Sequence, residues 1–271
     1  MDRVPLIPEF RSIVLDNYRI AGRSFPWRET DDPWAILVSE VMLQQTQTER
    51  VVPYWKRWLS LWPAPKDLAA AGMEEVLREW SGLGYNRRGR YLREAALAIV
   101  ELHGGRVPEA PAALDALPGI GPYTACAVST FAFGRPEVFI ETNIRSTVLH
   151  FFFPDEEKVP DSLILPVLER ALDREDPRRW YWALMDYGWA LKKLAVNPSR
   201  RSAHYARQSP FEGSLRQARG AALRSLASDG PSDLAALLSR TGLESARLAA
   251  ALQALSRDGM VAEASGLYRI P

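Results

Sequence analysis

The sequence contains little cysteine and no long apolar run. Its 271 residues include one cysteine, Cys126. A single thiol forms no internal disulfide and cannot hold an iron–sulfur cluster or a zinc ion alone. No stretch approaches the ~18 apolar residues of a membrane helix, and the first residues lack the charged-then-apolar pattern of a secretory signal. We therefore expect a cytoplasmic protein with no membrane partner.

The charge of the chain is nearly balanced, with 34 Lys and Arg residues against 33 Asp and Glu residues and a formal net charge of +1. This overall charge argues neither for nor against a nucleic-acid partner, which only local basic patches could attract. Hydrophobic residues make up 47% of the chain. That share is ample for the core of one large domain or two smaller ones.

Apolar residues recur at helical spacing between Pro and Gly, and strand-like alternation is almost absent before residue 258. The sequence therefore predicts a mainly α-helical fold. Asp32 followed by Pro33 is typical of a helix start, and we predict a helix from there to about Gln47. Ten further helices are predicted over residues 6–22, 49–62, 66–70, 73–80, 87–103, 111–116, 122–133, 143–150, 162–173 and 178–194.

The last sixty residues have a different pattern. Two helices are predicted near 213–228 and 232–239, and Thr241-Gly-Leu-Glu244 has the spacing of a capping box that opens a third helix through about Arg257. Residues 260–270 form two β-compatible runs around Ala-Ser-Gly, which indicates a hairpin. Three helices and a hairpin resemble a winged-helix domain that contacts DNA or protein; the alternative is an ordinary helical cap whose tail packs as a hairpin.

The segment Leu117-Pro-Gly-Ile-Gly-Pro-Tyr-Thr-Ala125 lies between a short helix and a strongly apolar one. Two glycines two residues apart allow a tight turn and a close backbone approach. The next helix then presents its first N–H groups outward, where an anion such as a DNA phosphate binds without side-chain charge. The alternative is a tight helix–helix turn with no ligand.

This segment resembles the hairpin of the helix-hairpin-helix DNA glycosylases, the superfamily of endonuclease III and the MutY adenine glycosylases. Other motifs follow in that family's order over about residues 8–193. They are Phe25-Pro-Trp-Arg28, Ser39-Glu-Val-Met-Leu-Gln-Gln-Thr46, Gly82-Leu-Gly-Tyr85 and Glu141-Thr-Asn143.

The resemblance implies a two-lobe glycosylase fold with a small C-terminal winged-helix-like domain. One lobe would be the central helical block of residues 26–134, which carries the hairpin. The other would combine residues 1–25 with 135–207, and residues 211–271 would form the C-terminal module. The lesion pocket would lie between the lobes.

Glu40 is the first predicted catalytic residue. It lies among apolar residues in the predicted helix, on the same face as Gln44 and Gln47. A carboxyl group among apolar neighbours tends to have a raised pKa and to stay protonated. The resemblance implies that Glu40 protonates the departing base and then handles water; the alternative is an ordinary exposed glutamate.

Glu141 is the second predicted catalytic carboxylate, with Asn143 two residues on. Cleavage of a glycosidic bond builds positive charge on the sugar, which a nearby carboxylate stabilises. The family has Asp in this position, and the extra methylene of Glu141 displaces the carboxylate by ~1.5 Å, enough to cost about 100-fold in rate unless the pocket is reshaped. The alternative is that Glu141 only caps the helix that begins near Asn143.

Tyr123 occupies the hairpin position at which bifunctional family members carry a Schiff-base lysine, and in sequence the nearest lysines are Lys66 and Lys158. An amine nucleophile is what adds strand cleavage to base removal. We therefore predict a monofunctional enzyme, with Tyr123 supporting the catalytic carboxylate.

An enzyme acting on a base in duplex DNA must rotate the base out and fill the gap. Gln45 and Tyr85 match the family's wedge positions; a plain core role for Tyr85 is the alternative. The family often has a second Tyr where this chain has Asn86. The predicted DNA-binding residues are Arg28, Gln44, Gln45, Thr46, Tyr85, Arg88, Gly119 and Gly121.

Two basic groups fit phosphate contacts, although such groups are often only a solvated helix face. The first consists of Arg87, Arg88, Arg90 and Arg93, and the second of Lys192, Lys193, Arg200, Arg201 and Arg207. We call residues 197–210 the basic strap.

Most relatives follow the helix resembling Ala183-Leu-Met-Asp-Tyr-Gly188 with four cluster-binding cysteines, and Lys192 stands near the first of those positions. We therefore expect no iron–sulfur cluster and no metal, and the basic strap replaces the cluster's DNA-facing loop. We also expect no counterpart of the family's Nudix-like domain, which inspects 8-oxoguanine.

The predicted function is monofunctional excision of a base, adenine first, from mismatched or oxidised double-stranded DNA in base excision repair, by a nucleoid-associated monomer. Two alternatives stay open: the same chemistry on a different damaged base, and a non-catalytic DNA-binding or regulatory protein that uses the hairpin and the C-terminal module.

Overall fold

The computed structural model describes residues 4–193, 197–206 and 210–271. Fourteen α-helices lie in this described part, which confirms the mainly helical fold. Their bounds are Ile7–Ala21 (α1), Pro33–Leu43 (α2), Thr48–Leu61 (α3), Pro65–Ala70 (α4), Met73–Trp80 (α5), Arg87–His103 (α6), Pro111–Asp115 (α7), Pro122–Phe133 (α8), Thr142–Phe152 (α9), Asp161–Ala171 (α10), Pro177–Leu191 (α11), Leu215–Asp229 (α12), Leu234–Thr241 (α13) and Ser245–Arg257 (α14).

Short 3₁₀ segments lie at Pro26–Arg28 and Pro198–Arg201, and the two strands are Ala262–Ala264 (β1) and Leu267–Arg269 (β2). No helix among the described residues is long and apolar enough to cross a membrane. Leu194, at the end of a predicted helix, and Arg207 of the basic strap lie outside the described residues.

Proline and glycine set many helix ends. Pro122 begins α8, and Gly134 ends it in the left-handed conformation with φ 70°. Gly104 ends α6 in the same way with φ 61°. Glycine adopts this conformation without the penalty that a Cβ atom carries, so helices commonly stop at it. These ends match the sequence prediction for both helices.

The described chain forms two compact units. Of the described residues, those within 4–36, 109–115 and 121–206 form the first unit, and those within 37–108, 116–120 and 210–271 form the second. These bounds differ from the lobes and module predicted from the family pattern, and that three-part division stays a prediction.

The first unit has its own aromatic core. Phe10 of α1 is fully buried and meets the rings of Phe151, Phe152 and Trp180 edge-on, at centroid distances of 5.1, 5.0 and 5.7 Å. Burial of one such side chain contributes about 1.5–3 kcal/mol, and the edge-on contacts add to it. The aromatic rings therefore hold α1 against α9 and α11.

The second unit joins the C-terminal helices to the central ones. Leu77 of α5 shares one core with Leu223, Leu226, Leu252 and Met260. The C-terminal residues therefore pack on α5 through a common apolar core.

Residues 262–269 form the predicted hairpin, with antiparallel pairing from Ala262–Arg269 to Ala264–Leu267. Ser265 and Gly266 turn it with φ values of 54° and 77°, as a two-residue hairpin requires. The winged-helix comparison for this region stays a prediction.

The predicted capping box at Thr241 is wrong. Thr241 is the last residue of α13, and its hydroxyl donates to the carbonyl of Leu237 at 2.7 Å. Gly242 then ends α13 with φ 63°, and α14 begins only at Ser245. The glycine between Thr241 and Glu244 stops the preceding helix, which the four-residue pattern did not reveal.

Candidate active site and nucleic-acid interface

Glu40 lies in α2, whose start is fixed by Asp32. The Asp32 carboxylate accepts a hydrogen bond from the backbone N–H of Trp34 at 3.0 Å, as predicted for an N-cap. Glu40 is 6% exposed, and its neighbours Val38 and Val41 are also buried. An ordinary exposed glutamate is therefore excluded. A buried carboxyl group is costly, and such groups concentrate at functional sites.

The helix that carries Glu40 ends at Leu43 rather than at Gln47. Gln45, beyond this end, has a φ of 54°. The physical reason is Arg88, whose guanidinium donates hydrogen bonds to main-chain carbonyls at the end of α2. A helix leaves its last carbonyls without partners, and a cation placed there caps them.

Arg88 is itself buried, with a relative exposure of 8%. Its guanidinium donates to one hydroxyl and five main-chain carbonyls at 2.6–3.2 Å. The acceptors are Thr46 Oγ1 and the carbonyls of Val41, Met42, Gln44, Leu83 and Gly84. Burial lowers the pKa of Arg88 to about 10, so the group stays charged at neutral pH. This side chain, predicted to bind DNA, points inward and ties the end of α2 to the Gly82–Tyr85 turn.

The two predicted wedge residues share a strained backbone conformation. Gln45 has φ 54° and Tyr85 has φ 48°, in the left-handed region that costs a residue with a side chain about 1–3 kcal/mol. Such strain persists only where the surroundings impose it, and it concentrates at functional sites. Arg88 supplies that constraint for both segments.

Both wedge residues line a cleft of about 1160 Å³ in the second unit. Six of the eight predicted DNA-binding residues line it: Gln44, Gln45, Thr46, Tyr85, Arg88 and Gly119. The structure thus brings together residues from three separate sequence motifs. Gly121 and Arg28 are not among the lining residues.

The two hairpin glycines differ. Gly119 has φ 73°, and a Cβ atom added there would lie 2.5 Å from the Cβ of Tyr91. Only glycine fits that position. Gly121 has φ −100° and no atom within 4 Å of an added Cβ, so neither the backbone nor the packing demands glycine there. Of the two hairpin glycines predicted to shape the turn, only Gly119 is therefore required to be glycine.

Glu141 is the N-cap of α9. Its Oε1 atom accepts hydrogen bonds from the backbone N–H groups of Asn143 at 2.6 Å and Ile144 at 2.8 Å. Its Oε2 atom accepts one from Asn143 Nδ2 at 3.2 Å. The capping alternative is therefore a real part of its role. Capping also fixes the carboxylate in place at the positive end of a helix, where a negative charge is stabilised.

Lys192 and Gly188, which the sequence analysis did not include in the site, complete the surroundings of Glu141. Lys192 Nζ donates to Asn143 Oδ1 at 2.7 Å, so Asn143 links the ammonium group to Glu141. A Cβ atom at Gly188 would lie 2.0 Å from the carbonyl oxygen of Asn143. Gly188 therefore lets α11 approach the first turn of α9, and only the Ala183–Gly188 motif pointed to it.

Tyr123 lies in the first turn of α8, half-buried against the core of the first unit. Its ring meets Phe139 edge-on at 5.7 Å. This packing fixes the direction of the Tyr123 side chain.

Arg28 lies in an ion cluster around Asp186. Arg28 Nη1 and Nη2 donate to the two Asp186 carboxylate oxygens at 2.9 and 3.0 Å, and Arg23 Nε donates at 2.9 Å. Burial alone would raise the pKa of the Asp186 carboxyl, but the bonds and charges from Arg28 and Arg23 outweigh burial and lower it. The side chains of Arg28 and Asp186 are 8% and 3% exposed. In this structure Arg28 thus serves to hold residues 23–28 on α11.

The other predicted basic residues are partly engaged within the protein. Arg90 donates to Glu94 and to the carbonyl of Asp258, and Arg93 donates to the carbonyl of Ala71. In the basic strap, Arg201 donates to the carbonyl of Leu149 at 3.0 Å, whereas Arg200 is exposed.

Within residues 4–193, 197–206 and 210–271, no group of three or more His, Cys, Asp or Glu side chains could hold a metal ion. The expected absence of an iron–sulfur cluster stays a prediction.

Residues 38–164 match the family model described as HhH-GPD superfamily base excision DNA repair protein. An adenine DNA glycosylase of Mycobacterium tuberculosis is 45% identical over 132 residues, which is 48% of this chain and 43% of that protein. Another, of Mycolicibacterium smegmatis, is 46% identical over 136 residues, which is 50% of this chain and 46% of that protein. The chain therefore spans less than half the length of these two relatives.

A solved structure of a thermostable thymine-DNA glycosylase is similar with a TM-score of 0.61 and 26% identity, over 67% of this chain and 85% of that one. Together with the family model, this confirms the resemblance and the helical glycosylase fold predicted from the sequence.

Proposed function

We propose that this chain, whose residues 38–164 match the family model of HhH-GPD superfamily base excision DNA repair proteins, is a DNA glycosylase that hydrolyses the N-glycosidic bond of a flipped-out base. The observation that carries the proposal is that this one segment contains both Glu40, buried in α2, and Glu141, fixed at the N-terminus of α9. A base-removing enzyme needs one proton donor and one anion.

Glu40 is the general acid in this proposal. The bond between base and sugar breaks with its electron pair leaving on the base, and the proton of Glu40 neutralises that charge. Water then adds to the sugar cation and returns a proton to Glu40. Burial suits this role, since a group shielded from water transfers its proton to the base and not to solvent.

Glu141 stabilises the positive charge on the sugar. Its carboxylate is held by two backbone N–H groups and the amide of Asn143, so little reorganisation is needed when that charge develops. Lys192 orients Asn143 through its 2.7 Å hydrogen bond and so acts as a positioning residue.

The substrate in this proposal is duplex DNA held in the cleft that Gln45, Tyr85 and Gly119 line. Gln45 is exposed and Tyr85 half-buried at its edge, where an amide and a ring can fill the gap left by a rotated base. Arg28 and Arg88 bind groups within the protein. We therefore assign them the role of positioning other residues, in place of the DNA contacts predicted from the sequence.

Adenine is the proposed base, because the two mycobacterial relatives are named adenine DNA glycosylases. A second base has specific support from the thymine-DNA glycosylase structure and from Glu141, which stands where the family has Asp. The extra methylene alters the space next to the sugar.

The test is a panel of duplexes that carry adenine, thymine or a damaged base opposite each normal base and 8-oxoguanine. We expect abasic sites, scored by alkaline cleavage, with mispaired adenine and fewer or none with the other bases. Release of thymine alone would select the second base. DNA binding without release from any duplex would favour the non-catalytic alternative.

Base removal without strand cleavage follows from Tyr123. Borohydride treatment during the reaction should trap no covalent enzyme–DNA adduct at the level of a lyase. The test is demanding because Lys192 is an amine next to Asn143 and could itself form such an adduct. If borohydride traps an adduct with the wild type and none with Lys192→Met, the monofunctional proposal is wrong.

The proposal also covers cofactor, assembly and location. The chain works in the cytoplasm as a monomer on DNA, without an iron–sulfur cluster, since one cysteine cannot ligate one. Iron and sulfide analysis of the active protein should give neither element, and stoichiometric iron would contradict this.

A further inference from the structure

The cleft has a second wall, which the C-terminal helix α12 provides. Arg216, Gly220 and Arg224 follow one another at four-residue intervals, so they lie on one face of α12, and Arg219 flanks them. All four line the cleft together with Gln45 and Tyr85. The family motifs of the sequence end before this helix begins, so they assign it no role.

The charge of this cleft contrasts with that of the whole chain. Six arginines line it, namely Arg50, Arg87, Arg88, Arg216, Arg219 and Arg224, and no Asp or Glu is among its described lining residues. The chain as a whole has a net charge of +1. Residues 211–271 contain seven arginines against six acidic residues, yet three of those arginines lie on the cleft side of α12. A groove with charge of one sign attracts a polyanion.

Apolar side chains accompany these charges. Phe211 and Leu215 line the same cleft and are 50% and 48% exposed. The Arg216 guanidinium lies 5.6 Å from the Phe211 ring centroid and 5.3 Å from that of Tyr85, and it donates to the Tyr85 hydroxyl at 2.6 Å. Exposed aromatic rings beside arginines are typical of surfaces that meet sugars and bases, since a ring stacks on any base.

We propose that α12 is the second wall of the DNA groove: Arg216 and Arg224 bind backbone phosphates, and Phe211 lies against the nucleotides beside Tyr85. The occupant is duplex DNA, by charge complementarity, and the inference rests on the proposed function. Arg219 is neutralised in part by Asp258 and contributes less. The C-terminal residues thus meet DNA through their first helix, whereas no residue of α14 or of the β1–β2 hairpin lines this cleft.

The experiment measures the dissociation constant between about 50 and 200 mM salt for a duplex with a tetrahydrofuran abasic analogue. The variants are Arg224→Gln, which changes an exposed side chain, and Arg216→Gln. Each lost phosphate contact should reduce the slope of log K against log salt by about 0.9. Arg224→Lys should restore the slope, because lysine keeps the charge.

Arg257→Gln in α14 and Arg269→Gln in β2 are the matched controls, since both arginines are exposed and neither lines the cleft. Both should keep the wild-type slope. Unchanged slopes in the two α12 variants, or reduced slopes in the controls alone, would overturn the inference and favour contact through the hairpin and α14.

Base release is measured in the same samples, which separates the two proposals. Release of base with unchanged slopes in the α12 variants contradicts only the role of α12. Reduced slopes in a protein that releases no base contradict only the proposed function. A protein that binds no duplex at any salt concentration contradicts both.

Discussion

At the scale of a single residue, Lys192 is a partly buried ammonium group that donates to Asn143, next to Glu141. Burial lowers the pKa of its ammonium group, the charge of Glu141 opposes this shift, and Arg145 adds to it. The folded protein therefore binds this proton more weakly than the unfolded chain does. The charge costs stability at neutral pH, and that cost shrinks as the pH rises through the lowered pKa toward 10.5.

We expect Lys192→Met to reduce the rate of base release about tenfold, because Asn143 loses a charge-assisted hydrogen bond. The melting temperature should equal or exceed that of the wild type, because a partly buried charge is removed. Single-turnover kinetics and calorimetry measure the two effects.

Lys193→Met is the matched control, since Lys193 is exposed and lies over the ring of Trp189. It should keep the wild-type rate. If Lys192→Met melts at a lower temperature and its slower reaction is explained by the fraction of unfolded protein, Lys192 has only a structural role.

The roles of two single arginines could not be predicted from the sequence. Arg28, in the Phe25–Arg28 motif, and Arg88, in a basic group, were both predicted to contact DNA, but each has partners that lie far away in the chain. Arg88 donates hydrogen bonds to carbonyls that lie 46 and 47 residues away in the sequence. Arg28 forms an ion pair with Asp186, which lies 158 residues away. No local pattern distinguishes an arginine that caps a helix from one that meets phosphate.

At the scale of elements, the sequence predicted best where proline or glycine determines a boundary. The predicted bounds of α5, α6 and α8 agree with the structure, because Gly72, Gly104 and Pro122 stand at their ends. The end of α2 was missed, because Arg88 from another helix determines it.

The hairpin offers a matched pair of glycine substitutions. Gly119→Ala should destabilise the protein by about 1–3 kcal/mol and weaken DNA binding, because alanine is strained at φ 73° and would collide with Tyr91. Gly121→Ala should change stability by less than about 1 kcal/mol, since its φ of −100° suits alanine. Urea unfolding and DNA titration measure both.

Equal losses in the two alanine variants would contradict this distinction between the glycines. Equal stabilities with equal DNA affinity would mean that the left-handed turn at Gly119 does not shape the binding surface.

At the scale of the whole molecule, the cluster around Asp186 should govern acid stability. The pKa of the Asp186 carboxyl group is lowered from 3.8 in the folded state. The ionised carboxylate therefore stabilises the folded protein above pH 3.8, and this stabilisation is lost as the pH falls through the lowered pKa. We expect Asp186→Asn to lose about 3–5 kcal/mol at pH 7, because two arginines are left without their carboxylate.

The difference from the wild type should shrink as the pH falls below 3.8. Asp31→Asn is the control: Asp31 is 85% exposed and pairs with Arg178, so its loss should cost less than about 1 kcal/mol. If urea unfolding gives the same difference in the free energy of unfolding between the wild type and Asp186→Asn at all pH values, the ion cluster is not the cause of that difference.

The most direct test of the enzyme is the single-turnover rate of free-base release from a duplex with mispaired adenine, for the wild type and Glu40→Gln. The amide has nearly the same shape but no acidic proton that it can transfer to the base. We expect release by the wild type and a rate at least about 100-fold lower for Glu40→Gln, with unchanged DNA affinity. Equal rates for the two proteins would contradict it.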